Sequence, residues 1–129
     1  LSGPPTMMPL DLLHGPGVPN VTVEANLDRA VEGADVIYAM RIQKERAGAG
    51  SLPSMREYTR RWQVTEARLA NAKRGALVMH PGPMNEGIEI ASSIAHGPGS
   101  QLEEQVTNGV AIRMAVLYRL LTGTGGDTE

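Results

Sequence analysis

Two short strand-like runs, Val36-Ile37-Tyr38-Ala39-Met40 and Gly75-Ala76-Leu77-Val78-Met79, constrain the fold of this chain more than any other feature. The first is continuously apolar, as a parallel strand covered on both faces is. Helical periodicity fills much of the stretch between the runs, and strands alternating with helices predict a layered α/β domain around a parallel sheet. In an open parallel sheet the carboxyl ends of the strands share one edge, and ligands bind in the crevice beyond it. Both runs break off abruptly at that edge. The first hands over to Arg41-Ile42-Gln43-Lys44-Glu45-Arg46, the second to the rigid loop His80-Pro81-Gly82-Pro83.

The remaining elements follow from local chemistry. Val21–Glu24 reads as a short strand, and Asn26 as the cap of a helix through Leu27, Ala30 and Val31 that stops at Gly33. Ala47 to Ser51, rich in Gly and Ala, reads as a mobile loop ended by Pro53. Ser54 with Glu57 forms a capping box for a helix carrying Tyr58, Trp62 and Val64, continuing or restarting through Leu69. A second box at Ser100 and Glu103 opens a long helix, with Leu102, Val106, Val110, Met114, Leu117 and Leu121 at helical spacing until Gly123. Gly109 inside that pattern predicts a bend or a close packing contact. Leu1-Ser2-Gly3-Pro4-Pro5 reads as the end of a strand and its turn, so the chain is expected to be a piece of a longer protein.

Composition narrows the function. With 129 residues and 41% hydrophobic content, residues 1–129 suit one domain. A net charge of −2 with interspersed signs gives no field that draws a protein onto nucleic acid or an acidic membrane, so neither is an expected partner. The absence of cysteine excludes disulfides, thiolate zinc sites and thiol nucleophiles, and with no signal segment or spanning run it points to the cytoplasm. His14, His80 and His96 are far apart without paired ligand spacing, so no metal is expected. Arg56, Arg60, Arg61 and Arg68 read as the solvated face of the helix holding Trp62. No glycine-rich phosphate loop is present.

The two junctions carry the chemistry. The planar fork of Arg41 takes a carboxylate with two parallel hydrogen bonds. An ion pair with Glu45 is the plainer reading; the two are compatible if Glu45 orients the guanidinium before ligand arrives. Gln43 lies two residues on, hence on the same side of an extended backbone, with a donor and an acceptor. Pro81 and Pro83 have no amide protons, which leaves carbonyls to accept from a ligand amide, while Gly82 permits close approach. An X-Pro bond in such a turn is a candidate for the cis form. His80 is an acid or base candidate, although a single histidine at a strand end is more often hydrogen-bonded structure.

Three motifs in this order, Arg41-Ile42-Gln43-Lys44-Glu45-Arg46, His80-Pro81-Gly82-Pro83-Met84-Asn85 with Gly87-Ile88-Glu89-Ile90, and Gln105-Val106-Thr107-Asn108-Gly109-Val110-Ala111 with Arg113, resemble the aspartate carbamoyltransferase catalytic chains. The resemblance covers nearly all 129 residues and only the aspartate-binding half of that family. It implies a three-layer, Rossmann-like domain with a central parallel sheet, and transfer of the carbamoyl group of carbamoyl phosphate to L-aspartate in pyrimidine synthesis, without cofactor. Arg41 would hold a substrate carboxylate, Gln43 would help position the amino acid, and the Pro81 and Gly82 carbonyls would hold the carbamoyl amide. Glu45 and His80 would support them. The resemblance further implies a homotrimer, with regulatory or dihydroorotase chains as further possible partners. One departure stands out: related sequences often carry Arg where this chain has Glu86. Ornithine-specific relatives are the rival within the fold, usually with Cys after the second-motif His, where this chain has Pro81. A non-catalytic structural partner of another pathway enzyme and a generic amino-acid-binding module are the readings outside it.

Overall fold

A computed structural model describes residues 1–9, 20–43 and 54–123. After a 3-10 turn at Pro5–Met7, the elements run α1 (Leu27–Ala30), β1 (Val36–Tyr38), α2 (Met55–Trp62), α3 (Glu66–Leu69), β2 (Leu77–Met79), α4 (Ser92–Ala95) and α5 (Leu102–Thr122). β1 and β2 pair in parallel, with Val36 opposite Leu77, Ile37 opposite Val78 and Tyr38 opposite Met79. On the other edge of β2, Val78 pairs in parallel with Ser100, which delivers the chain to the start of α5. The fold is α/β around a parallel sheet, as the alternation of strands and helices predicts.

The pleat of the sheet sorts its side chains. Ile37, Ala39 and Val78 point into a core shared with Leu27 and Val31, with Tyr58 and Trp62 of α2, and with Ile90, Ile94 and Ala95. On the opposite face Val36, Tyr38 and Met40 stay 47, 48 and 61% exposed. The continuously apolar run predicts cover on both faces, and the described residues supply it on one.

Local signals set most helix ends. Asn26 caps α1 by accepting from the Asp28 N–H at 2.9 Å, Ser54 caps α2 from the Glu57 N–H at 3.2 Å, and Thr65 caps α3 from the Arg68 N–H at 3.4 Å. Gly123, at φ 66°, closes α5 in the left-handed conformation that glycine adopts without penalty.

Five expectations are corrected. Val21–Glu24 is not a strand; its backbone is tied to Leu1, whose amine donates to the Thr22 carbonyl at 2.7 Å and whose carbonyl accepts from Glu24 at 3.0 Å. Val64 is not carried on a helix. It pairs with Ile90 in the break between α2 and α3, because that pairing takes up its backbone groups. Ser100 does not open α5 with a capping box. The neighbouring Gly99 carbonyl and Gln101 N–H bond to Val78 at 2.9 Å each, which extends the backbone there, and the helix starts at Leu102. Of the two readings of Gly109, close packing is set aside among the described residues, since the nearest atoms a Cβ placed there would meet are those of the Arg113 side chain, at 3.7 Å or more. Arg68 is not solvated: its side chain is 12% exposed, and its guanidinium donates to the Gln63 and Arg60 carbonyls at 2.6 and 3.0 Å. Those are carbonyls that the end of α2 leaves without helical partners. The loop reading of Ala47 to Ser51 lies outside the described residues.

Candidate functional site

Because β1 and β2 are parallel and in register, the segments that follow them leave the sheet from the same edge. Beyond β1, Ile42 is buried at 2% exposure, flanked by half-buried Arg41 and exposed Gln43. Glu45, and with it the ion-pair reading of Arg41, lies outside the described residues. Beyond β2, Pro81 and Gly82 are exposed, Gly82 has φ 62°, and the Gly82-Pro83 bond is cis.

The second loop is built around a buried ring. His80 is 1% exposed, and its Nδ1 accepts from the Gly82 N–H at 2.9 Å. An accepting Nδ1 carries no proton, so the neutral ring holds its proton on Nε2, which donates to Glu89 Oε1 at 3.2 Å. Both ring nitrogens are thus engaged inside the fold, and neither is left for a substrate proton. The same Glu89 oxygen accepts from the Asn85 N–H. The Asn85 side-chain amide then donates to the Ile42 carbonyl at 3.4 Å, between Arg41 and Gln43. Gln105 at the start of α5 makes a second connection. Its Oε1 accepts from the His80 N–H at 3.1 Å and its Nε2 donates to the Tyr38 hydroxyl at 2.9 Å.

Two carboxylates shape the electrostatics. Burial, with the Glu89 charge adding to it, pushes the Tyr58 hydroxyl up to about 12. Glu86 accepts from the Ser92 hydroxyl at 2.8 Å and from His96 Nε2 at 3.1 Å, and these bonds hold its carboxyl below the usual carboxylate range. Glu86 is thus an acid already engaged with α4 and the residue after it.

The edge offers a guanidinium and an amide on one arm and backbone carbonyls on the other, a set that takes an anion beside an amide donor. Reading the sequence for chemistry finds Arg41, Gln43, Pro81 and Gly82 but assigns no role to Asn85, Glu89 or Gln105. Glu89, an acid between Ile88 and Ile90, has the sequence pattern of an outward-facing residue, and no signal in the sequence singles it out. Among the described residues no group of three or more His, Cys, Asp or Glu is arranged to hold a metal ion, and no helix is long and apolar enough to cross a membrane.

Comparison with known proteins bears on what such an edge binds. The family profile described as aspartate/ornithine carbamoyltransferase, Asp/Orn binding domain, matches residues 12–120. The aspartate carbamoyltransferase catalytic subunit of Gluconobacter oxydans is 55% identical over 120 residues, which cover 93% of this chain and 37% of that protein. The chain spans about a third of the length of the curated relatives it matches. Aspartate transcarbamoylase from Trypanosoma cruzi, solved in complex with carbamoyl aspartate and phosphate, superposes with a TM-score of 0.61 at 31% identity, over 74% of this chain and 29% of that one. Ornithine carbamoyltransferase from Burkholderia thailandensis shares the fold, with a TM-score of 0.74 at 24% identity over 95% of this chain and 38% of its own.

Proposed function

The chain belongs to the aspartate/ornithine carbamoyltransferase family through its Asp/Orn binding domain, and from that premise we propose that it acts as the aspartate-binding domain, residues 1–129, of an aspartate carbamoyltransferase catalytic chain. The observation that carries this reading is the tie between the two strand ends, Asn85 to the Ile42 carbonyl, which keeps an arginine arm and a carbonyl arm on one edge. The 55% identity to a catalytic subunit of that name supports aspartate as the acceptor. So does Arg41, whose charge suits a substrate with a second carboxylate and opposes one with an amine side chain.

In the proposed reaction the amine of L-aspartate attacks the carbonyl carbon of carbamoyl phosphate. A tetrahedral intermediate forms, the C–O bond to phosphate breaks with its electron pair leaving on the phosphate, and the amine's proton passes to that departing phosphate. The products are N-carbamoyl-L-aspartate and phosphate. Arg41 holds a carboxylate of aspartate in a bidentate grip, Gln43 helps to orient the amino acid, and the carbonyls of Pro81 and Gly82 accept from the carbamoyl amide. Fixing two reactants in this way removes the entropy of bringing them together, which is the larger part of what such a wall contributes. The charge that develops on the oxyanion and the leaving phosphate is met mostly by a carbamoyl-phosphate-binding half, so residues 1–129 alone are inactive. We place the activity in cytoplasmic pyrimidine synthesis, in a homotrimer of catalytic chains, with regulatory or dihydroorotase chains as further partners.

The test is carbamoyl-aspartate formation by the full-length protein, native against Arg41→Ala. Activity in the native protein, with aspartate affinity and rate lost in the variant, is expected. An inactive native protein overturns the reading, and faster turnover of ornithine than of aspartate moves the assignment to the ornithine branch.

A further inference from the structure

Glu89 stands where a carboxylate is costly. Its residue is 2% exposed, between Ile88 and Ile90, and its Oε2 has no hydrogen-bond partner among the described residues. His80 Nε2 lies 3.2 Å from it, yet with the Gly82 N–H on Nδ1 that ring offers Glu89 a neutral N–H donor and not a formal cation. A buried carboxylate without a charged partner is destabilising compared with an apolar side chain of similar volume. Stability does not account for Glu89.

Position does. Glu89 Oε1 receives two donors, His80 Nε2–H and Asn85 N–H, and so holds the start and the end of the Pro81-Gly82-Pro83 turn on a single atom. The backbone of Glu89 is itself anchored, its carbonyl accepting from the Val64 N–H at 2.9 Å while the Ala91 N–H donates to the Val64 carbonyl at 2.9 Å. Asn85, oriented by its own N–H on Glu89, carries the constraint across to the Ile42 carbonyl between Arg41 and Gln43.

We propose that Glu89 is a positioning residue for carbamoyl transfer, which sets the spacing between the Pro81 and Gly82 carbonyls and the Arg41 and Gln43 side chains through His80 and Asn85. This rests on the transferase reading above. Glu89 touches no substrate. It acts by fixing the two arms against each other, and a misplacement on the order of 1 Å at a reacting centre costs about 100-fold in rate.

The experiment uses the full-length protein and four variants: Glu89→Gln, Glu89→Met, Asn85→Ala and the Met/Ala double variant. Glu89→Gln keeps an oxygen that accepts both donors, and it is expected to stay within about 3-fold of native kcat/KM for aspartate. Glu89→Met removes the acceptor at similar volume and is expected to lose about 10- to 100-fold. Asn85→Ala cuts only the link to Ile42 and is expected to raise the aspartate KM about 10-fold, so the proposal stays testable if the Met variant fails to fold. The double variant should be no worse than the worse single, as links of one relay are not additive. Native activity in Glu89→Met, native KM in Asn85→Ala, or no rescue by Glu89→Gln overturns the proposal. A native protein that makes no carbamoyl aspartate instead overturns the transferase reading. In that event ¹⁵N NMR of the His80 ring still judges the relay. The Gly82 N–H keeps the Nε2–H form in every variant, so the readout is the Nε2-bound proton itself: it should resonate downfield and exchange slowly in the native protein and in Glu89→Gln, and an unchanged resonance in Glu89→Met counts against the relay.

Discussion

Arg41 is asked for a fork rather than for a charge. A lysine keeps the positive charge but offers a point donor in place of two parallel N–H groups. With charge-assisted hydrogen bonds worth roughly 1.5–3 kcal/mol, Arg41→Lys is expected to raise the aspartate KM about 10-fold or more, read by steady-state kinetics of the full-length protein. Tyr58 tests the buried acid from the other side. Its hydroxyl is raised to about 12 by burial and by Glu89, so the folded state holds the phenolic proton more tightly than the unfolded chain does. The associated stability is fully present below pH ~10, where an unfolded tyrosine titrates, and is lost as pH rises towards the folded value, a difference of roughly 2–3 kcal/mol. Urea unfolding at graded alkaline pH should show this loss in the native protein and not in Tyr58→Phe. Glu86 has the opposite sign, because its hydrogen bonds from Ser92 and His96 depress its pKa. Its contribution is present above the ordinary carboxylate range and disappears as pH falls through the lower folded value. The stability gap between native and Glu86→Gln should therefore close in acid. The candidate site residues that interrupt an apolar run, Arg41 and Pro81, are legible in the sequence because a break in pattern is visible there. Glu89 is not, since an acid between two isoleucines looks the same as an outward-facing residue until tertiary structure shows which face is buried.

Short helices show where local chemistry decides and where it is overruled. α1 has four residues and owes its start to one side chain, Asn26, on the Asp28 N–H. Asn26→Ala is expected to cost about 1 kcal/mol and Asn26→Gly only a few tenths, measured by urea unfolding. The caps at Asn26 and Ser54 and the stop at Gly123 are legible because each depends on residues within a few positions of the helix end. Ser100 carries the same kind of signal and the structure sets it aside. Its backbone is held along β2 by the bonds of Gly99 and Gln101 to Val78, so its hydroxyl meets the Leu102 N–H at 3.5 Å and not the Glu103 N–H that a capping box needs. Val64 is lost from the helical pattern for the same reason, through Ile90. In both places a long-range pairing takes backbone groups that a local motif would use, and no window of neighbouring residues contains that competitor.

At the scale of the whole molecule, the covered and uncovered surfaces determine behaviour. The apolar positions Val106, Val110, Met114, Leu117 and Leu121 fall at i, i+4, i+8, i+11 and i+15 along α5, one stripe of the helix, and Met114 and Leu121 are 66 and 84% exposed. Tyr38 and Met40, on the open face of β1, add to the apolar surface. A monomer rarely exposes a contiguous apolar patch beyond a few hundred Å². Residues 1–129 alone are therefore expected to self-associate through this stripe. Sedimentation velocity should give a mass that rises with concentration for the native sequence. Leu117→Glu with Leu121→Glu puts two charges on the stripe far from His80 and Glu89, so it should return the sample to monomer and leave the His80 ring in its Nε2–H form. If the native residues instead remain monomeric at every concentration and unfold cooperatively, the stripe is tolerated in water and the association is refuted. If the charged pair abolishes folding as well as association, the helix contributes to the core despite its exposure, and the boundary of the folding unit must be drawn to include it.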